Sequence, residues 1–139
     1  MLKESETMRL FIDSNILISG IVFAGYEHHL FKRGARREIE IIVSEDVIDE
    51  SLAVLNRKFP AKAYLLREFL RLSEAKIIRR KEYAKLIERQ IVRDTNDKHI
   101  LAAAIASGCY AIVTGDKDLL VLKRDKRVKI ISTKEALEV

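Results

Sequence analysis

Two aspartates follow short apolar runs that have the composition of buried strands. Asp13 comes directly after Leu10-Phe11-Ile12, and two residues separate Asp116 from a run that ends at Val113. In a parallel α/β sheet, the carboxyl ends of the strands form the edge at which ligands bind. We therefore expect both carboxylates to project into that edge, and to lie close together if their strands are neighbours.

Two further acids stand on predicted helices. Asp97 lies in the first turn of a helix predicted over residues 94–107, and Glu50 lies on one predicted over residues 45–57. Glu50 is at one margin of the apolar face and Glu45 at the other, so periodicity does not choose between them. A simple crossover connection would place the start of the Asp97 helix at the opposite edge of the sheet. The pattern alone therefore does not decide whether Asp97 belongs to the site.

Each of the aspartates could also have a purely structural role. Asp13 is able to cap the helix that follows it, because Asp side chains accept hydrogen bonds from nearby backbone N–H groups. Asp94 and Asp97 would favour the positive end of a helix dipole. Asp116 or Asp118 would cap the short turn after the fourth strand. The pattern by itself does not distinguish a structural role of these acids from a role in an active site.

Apolar runs alternate with helical patterns along the chain, which predicts an α/β domain with a mostly parallel sheet. The predicted strands are residues 10–12, 39–43, 76–78, 110–113 and 128–131. The predicted helices begin near residue 15, cover residues 45–57, 64–72 and 94–107, and end with one opened by a Ser132–Glu135 capping box. Residues 1–7 are expected to be a loose extension, and residues 8–139 a single domain.

The composition sets limits on function. No apolar run is long enough to span a bilayer, and the polar start lacks the apolar core of a signal peptide. The single cysteine, Cys109, excludes an internal disulfide and fits a reducing cytoplasm. The net charge of +5 makes an anionic partner plausible. Its basic residues form three clusters, at Lys32, Arg33, Arg36 and Arg37, at residues 79–81, and at Lys123, Arg124, Lys126 and Arg127.

Four segments, in this order, resemble the motifs of the PIN-domain nucleases, including the toxin subunits of prokaryotic toxin–antitoxin pairs. The segments are FIDSNILIS (11–19), VSEDVIDE (43–50), DTNDKHILAAA (94–104) and VTGDKDLL (113–120). They are similar to an apolar strand leading into Asp-x-Asn, a helix that supplies a glutamate, an acid before an apolar helical stripe, and a Thr-Gly-Asp turn. The resemblance runs from about residue 8 to the end.

The resemblance implies a three-layer α/β/α fold with a central, mainly parallel, five-stranded sheet. It selects Glu50 over Glu45 and places Asp97 in the site despite the crossover argument. The implied catalytic and metal-binding residues are Asp13, Glu50, Asp97 and Asp116. Asn15 and Thr114 would orient these carboxylates, and Asp118 and Asp94 would be additional ligands. Many relatives have proline where Thr95 stands, a position that shapes the helix start and binds no metal.

Converging carboxylates raise one another's pKa, and Mg²⁺ or Mn²⁺ would relieve that repulsion. The resemblance then implies hydrolysis of RNA phosphodiesters by water activated at the metal, leaving a 5′-phosphate and a 3′-hydroxyl. It also implies an antitoxin partner and a homodimer. The basic clusters would bind the RNA backbone.

Other functions remain alternatives. A stand-alone RNA-processing nuclease would need the same site, and a non-catalytic PIN-like module would bind RNA or protein without cleavage. An aspartyl phosphatase fits less well, because Asn15 stands where its second acid would be. A phosphoacceptor response domain would need a different order of acids.

Overall fold

The sheet consists of five parallel strands in the order β3-β2-β1-β4-β5. The computed structural model describes residues 7–90, 95–122 and 127–139. Its strands are β1 (Arg9–Ile12), β2 (Glu40–Ser44), β3 (Lys76–Ile78), β4 (Ala111–Val113) and β5 (Lys129–Ile131). In the centre, Phe11 pairs with Ile42 on one side and Ile112 on the other. The predicted parallel sheet of five strands is confirmed, and β1 and β4 are neighbours.

Helices connect all the strands. They are α1 (Ser14–Val22), α2 (Tyr26–Ala35), α3 (Glu45–Lys58), α4 (Leu65–Leu72), α5 (Arg80–Ile87), α6 (Thr95–Ala106), α7 (Lys117–Leu120) and α8 (Thr133–Leu137). Ser44 caps α3 by accepting a hydrogen bond from Val47 N at 3.1 Å. Ser132 and Glu135 form the predicted capping box at the start of α8. No helix in the described parts of the chain is both long and apolar enough to cross a membrane.

Both faces of the sheet are covered. Leu10, Phe11 and Ile12 are each fully buried, and so are the three residues of β4. Because successive side chains of a strand point to opposite faces, this pattern requires helices on both sides. The connecting helices pack in two groups, α1 with α2, α3 and α4, and α5 with α6. The predicted three-layer α/β/α fold is therefore confirmed.

Two helices were not predicted from the sequence. In α2 only Leu30, Phe31 and Gly34 are buried, and in α5 only Tyr83 and Ile87. Such short apolar stripes give a weak periodic signal. Asp94, placed at the start of α6 by the sequence, and most of the third basic cluster lie outside the described residues.

Helix α6 runs antiparallel to the strands. Its carboxyl end meets the start of β1, where the Arg9 guanidinium donates to Ser107 O. Near its other end, His99 contacts Asp46, which directly follows β2 in the first turn of α3. The crossover expectation for this helix was wrong, because a helix that leads into a parallel strand must end at the strand's amino edge. The first turn of α6 therefore lies at the carboxyl edge.

Candidate active site

Asp13 stands at the carboxyl end of β1 with its carboxylate almost fully enclosed. The side chain is 4% exposed. One carboxylate oxygen, Oδ1, accepts from Ser14 N at 2.6 Å and so caps α1. The other, Oδ2, accepts from Thr114 Oγ1 at 2.7 Å. Capping and placement at the sheet edge are thus combined in one residue.

Thr114 joins Asp13 to Asp116. While its hydroxyl donates to Asp13, the same oxygen accepts from Asp116 N at 3.0 Å. Thr114 is completely buried and directly follows β4. Asp116 then caps α7 by accepting from Asp118 N at 2.9 Å. A single hydroxyl therefore links the Asp13 carboxylate to the backbone of Asp116, at the carboxyl ends of two adjacent strands.

The electrostatics of this pair favour a cation. Burial raises the pKa of the Asp13 carboxyl above its usual value, and hydrogen bonds from Thr114 and Ser14 oppose that rise without cancelling it. The charge of Asp116 raises the same pKa further. A positive ion between the two aspartates would offset both the burial and the repulsion.

The Asn15 side chain lies close to Gly115, the residue between Thr114 and Asp116. A Cβ at Gly115 would lie 3.5 Å from Asn15 Nδ2. The amide of Asn15 is exposed and follows Asp13 by two residues. This position suits the orienting role that the sequence predicts for Asn15.

Glu50 and Asp97 stand on two different helices, α3 and α6, whose first turns lie at this edge of the sheet. Glu50 is half-buried in the second turn of α3, and Asp97 is 7% exposed in the first turn of α6. Glu45, the alternative to Glu50, instead accepts from Arg80 N at 2.9 Å and fixes the start of α5. The structure therefore gives Glu45 a structural partner away from the aspartate pair.

The four acids do not form one closed cluster. Among residues 7–90, 95–122 and 127–139, no three or more His, Cys, Asp or Glu side chains are grouped so that they could hold a metal ion. The structure brings Asp13 and Asp116 together, and Glu50 and Asp97 stand on α3 and α6. This donor set fits Mg²⁺ or Mn²⁺, because such hard ions are often held by one or two carboxylates, with waters and substrate phosphates completing the shell.

A second polar group at this edge was missed by the sequence reading. The Asp46 carboxylate receives hydrogen bonds from Arg80 Nη1 at 2.6 Å, from the Tyr83 hydroxyl, and from His99 Nδ1 at 3.0 Å. Burial raises the pKa of Asp46, but the bonds from Tyr83 and His99 and the charge of Arg80 outweigh it, so the pKa is lowered. The only sequence signal was an acid in the first turn of α3, which is also typical of helix-dipole stabilisation.

The two basic clusters within the described residues lie at opposite edges of the sheet. Residues 79–81 follow β3 and lie at the carboxyl edge, beside Asp46. The cluster at the end of α2 lies at the amino edge, where Arg33 donates to Leu137 O at 3.0 Å and Arg37 pairs with Glu74. The α2 cluster therefore lies at the edge opposite to the aspartate pair.

The histidines and the cysteine have structural environments. His28 Nδ1 lies 2.9 Å from Gly20 O, and His99 faces Asp46. Burial raises the pKa of the Cys109 thiol to about 11, so it is no nucleophile at neutral pH. None of these groups joins the aspartate pair.

Comparison with known proteins gives one family match. The family model described as PIN domain matches residues 9–118. A search among curated protein sequences finds no significant match.

Solved structures share the fold at low sequence identity. A structure of VapBC2 from Rickettsia felis, bound to a DNA fragment from its promoter, is 20% identical with a TM-score of 0.62, covering 90% of this chain and 98% of the other. VapC20 from Mycobacterium tuberculosis, described as a toxin that cleaves the sarcin–ricin loop, is 17% identical with a TM-score of 0.61, covering 84% and 97%. DNA-bound VapBC from Salmonella typhimurium is 14% identical with a TM-score of 0.61, covering 91% and 99%.

Proposed function

The chain belongs to the PIN domain family, and from that premise we propose that it is a ribonuclease dependent on Mg²⁺ or Mn²⁺. The observation that carries the proposal is the pair Asp13 and Asp116, held by Thr114 at the carboxyl ends of adjacent parallel strands. Ligands of α/β proteins bind at this edge. Two carboxylates fixed there, with two more acids approaching, suit a metal-assisted hydrolase.

Each acid has a distinct part in the proposal. Asp13 and Asp116 would hold the cation directly, and Glu50 and Asp97 would complete its environment from α3 and α6, either directly or through water. The cation, when bound, supplies Lewis acidity toward the phosphate and toward water.

The neighbouring polar groups set the geometry. Thr114 keeps Asp13 and Asp116 in a fixed relation, and Asn15 orients a carboxylate or the attacking water by hydrogen bonding. Asp118 is an additional acid on α7, and its backbone N–H donates to the Asp116 carboxylate. Asp94 is also proposed as an additional ligand, from the sequence alone. Water attack on phosphorus would then leave a 5′-phosphate and a 3′-hydroxyl.

The substrate we propose is RNA, bound by its phosphates at the carboxyl edge. Arg79 and Lys81 are exposed there, next to the start of α5. Such contacts release counterions, so binding should weaken steeply with salt.

The biological role we propose is that of a toxin in a toxin–antitoxin pair, acting in the cytoplasm as a homodimer. It is supported by the likeness to the VapBC and VapC20 structures, whose chains are covered almost completely. An antitoxin would then bind and silence this chain. Expression alone should arrest growth, and co-expression of a short neighbouring gene product should restore it. Cleavage without growth arrest would favour a stand-alone RNA-processing enzyme.

The test of the activity is digestion of end-labelled RNA followed by analysis of the new ends. We expect cleavage with Mg²⁺ or Mn²⁺, none with EDTA, and products with 5′-phosphates that a phosphate-dependent 5′-exonuclease degrades. Products with 3′-phosphates or cyclic phosphates would contradict hydrolysis by activated water. Binding of RNA and metal without cleavage of any RNA would favour a non-catalytic binding module.

A further inference from the structure

One carboxylate connects three helices at the carboxyl edge. Asp46 lies in the first turn of α3, Arg80 and Tyr83 lie on α5, and His99 lies on α6. Asp46 Oδ1 accepts from Arg80 Nη1 at 2.6 Å, while Oδ2 accepts from the Tyr83 hydroxyl and lies 3.0 Å from His99 Nδ1. An ionised carboxylate only accepts, so His99 Nδ1 is the donor in this contact.

The α3–α5 side of this group is firmly fixed. The Tyr83 side chain is fully buried, and its hydroxyl also accepts a hydrogen bond from Asp46 N at 3.4 Å. Burial and the hydrogen bond to Asp46 raise the pKa of Tyr83 to about 12, so it remains a donor at neutral pH. The Glu45 carboxylate accepts a further hydrogen bond from Arg80 N at 2.9 Å, which also joins α3 to α5. Asp46 is therefore a fixed acceptor that points toward α6.

Helix α6 needs a directional contact at this end. The five consecutive residues from Ile100 to Ala104 are all buried, so the helix is apolar around its whole circumference, and three of the five are alanines. Apolar packing is non-directional, so by itself it defines rotation about the helix axis less sharply than a hydrogen bond does. A hydrogen bond from His99 to a fixed acceptor defines that rotation.

The rotation of α6 determines where Asp97 points. Each residue of an α-helix turns by about 100°, so Asp97 and His99 leave the axis about 200° apart. When His99 is held against Asp46, Asp97 is directed to the other side of α6, where it is 7% exposed. A rotation that broke the His99 contact would displace the Asp97 carboxylate by a similar angle.

We propose that Asp46 is a positioning residue, which holds His99 and thereby sets the direction in which Asp97 enters the active site. The inference rests on the proposed function, because it takes Asp97 to be one of the groups around the cation. Asp46 itself touches neither the cation nor RNA. Its effect passes through the helix.

The test compares Asp46→Ala, His99→Ala and the double variant with Glu68→Ala. Glu68→Ala is the control because it removes an exposed ion pair with Arg71 on α4. Asp46→Asn, which keeps one acceptor oxygen, serves as the conservative variant, and circular dichroism establishes that each variant is folded. The measurements are Mn²⁺ affinity of the free protein by calorimetry, without RNA, and kcat and KM for RNA cleavage.

We expect Asp46→Ala and His99→Ala each to lower Mn²⁺ affinity and kcat by roughly 10-fold to 100-fold, the usual loss when a partner of a metal ligand is removed. KM for RNA should stay unchanged. The double variant should lose no more than either single variant, since both remove the same contact. Asp46→Asn should recover part of the loss, and Glu68→Ala should resemble the wild type. If Asp46→Ala does not fold, His99→Ala and Asp46→Asn carry the same test.

Two results would overturn the inference. The first is that Asp46→Ala has the same Mn²⁺ affinity and the same kcat as the control Glu68→Ala. The other is a raised KM with unchanged metal affinity and kcat, which would assign Asp46 to orienting Arg80 toward RNA. A wild-type protein that neither binds Mn²⁺ nor cuts RNA would refute the proposed function itself, and this inference with it.

Discussion

Thr114 is the residue on which the relation between Asp13 and Asp116 depends. Its hydroxyl donates to Asp13 Oδ2 and at the same time accepts from Asp116 N. Thr114→Val keeps the shape but leaves both partners without their bond. Because a buried polar group without a partner costs roughly 1–3 kcal/mol, we expect a loss of that size in the free energy of unfolding.

Activity of the same variant should fall more than its stability suggests. We expect Thr114→Val to lower kcat by about 10-fold or more, because its bonds orient two proposed metal ligands. Thr114→Ser, which keeps the hydroxyl, should stay near the wild type. Urea unfolding and RNA cleavage measure the two effects. Equal activity of the valine and serine variants would contradict the orienting role.

Asp13 should oppose stability in the metal-free protein. The folded-state pKa of its carboxyl is raised, so folding disfavours the ionised form. Below the unfolded-state pKa both states are neutral and nothing is lost. As pH rises above about 3.8 and through the folded-state pKa, stability is lost, and the loss is complete above that pKa.

Asp13→Asn should therefore raise Tm in EDTA at pH 7 by a few degrees. The difference from the wild type should vanish at the acid end of a pH series. Addition of Mn²⁺ should raise Tm of the wild type and not of Asp13→Asn, because a ligand stabilises only the state that binds it. Scanning calorimetry makes the measurement. A lower Tm for Asp13→Asn at neutral pH would show that the capping role of Asp13 outweighs its burial.

Among the elements, α2 depends on a close approach that only glycine permits. A Cβ at Gly34 would lie 2.7 Å from Ile41 Cγ1 and 2.9 Å from the Ser73 carbonyl oxygen. The carbonyl belongs to the backbone and has little room to move. Gly34→Ala should therefore cost roughly 1–3 kcal/mol through overpacking, despite the higher helix propensity of alanine.

Gly25→Ala is the matched control, because a Cβ there meets nothing within 4 Å. As a change at the N-cap of α2, it should cost less than about 1 kcal/mol. Thermal unfolding of the two variants gives the comparison, and cleavage per folded molecule should be normal in both, because α2 lies away from the carboxyl edge. Equal stability of the two variants would refute the close packing of α2 on the sheet.

The elements also show why sequence reading succeeded in some places and failed in others. The strands around Phe11 and Ile112 were predictable because continuous apolar runs ending in Asp or Thr-Gly-Asp carry a strong signal. The cap at Ser44 was predictable from local chemistry. Helices α2 and α5 were missed because few of their residues are buried.

The site was predictable to a similar degree. Convergence of Asp13 and Asp116 followed from their places at strand ends, whereas the bond from Thr114 to Asp13 joins residues 101 positions apart. The position of α6 was misjudged from its pattern, and the contact between Asp46 and His99 joins residues 53 positions apart in sequence. No local pattern reports a contact of that separation.

Across the described part of the molecule, two exposed basic pairs lie at opposite edges of the sheet. Arg79 and Lys81 are exposed at the carboxyl edge, whereas Lys32 and Arg36 are exposed at the end of α2. Replacing either pair by glutamine removes the same charge. Only the pair Arg79 and Lys81 is near the proposed RNA path.

We expect Arg79→Gln with Lys81→Gln to weaken RNA binding and to reduce the slope of log affinity against log salt by roughly 0.7 per lost phosphate contact. Lys32→Gln with Arg36→Gln should leave both quantities near the wild type. Fluorescence anisotropy with labelled single-stranded RNA, in Ca²⁺ or EDTA to prevent cleavage, supplies the measurement. An equal effect of the two double variants would indicate that net charge, rather than the carboxyl edge, governs binding.

The most direct test of the central claim is RNA cleavage by Asp116→Asn beside Asp49→Asn. Both variants remove one negative charge, but Asp49 is exposed on α3 and Asp116 is half of the aspartate pair. We predict that the wild type and Asp49→Asn cut RNA only with Mg²⁺ or Mn²⁺, and that Asp116→Asn loses about 100-fold or more of the rate. Equal rates for the two variants, or wild-type cleavage that persists in EDTA, would contradict a metal-dependent nuclease at this edge of the sheet.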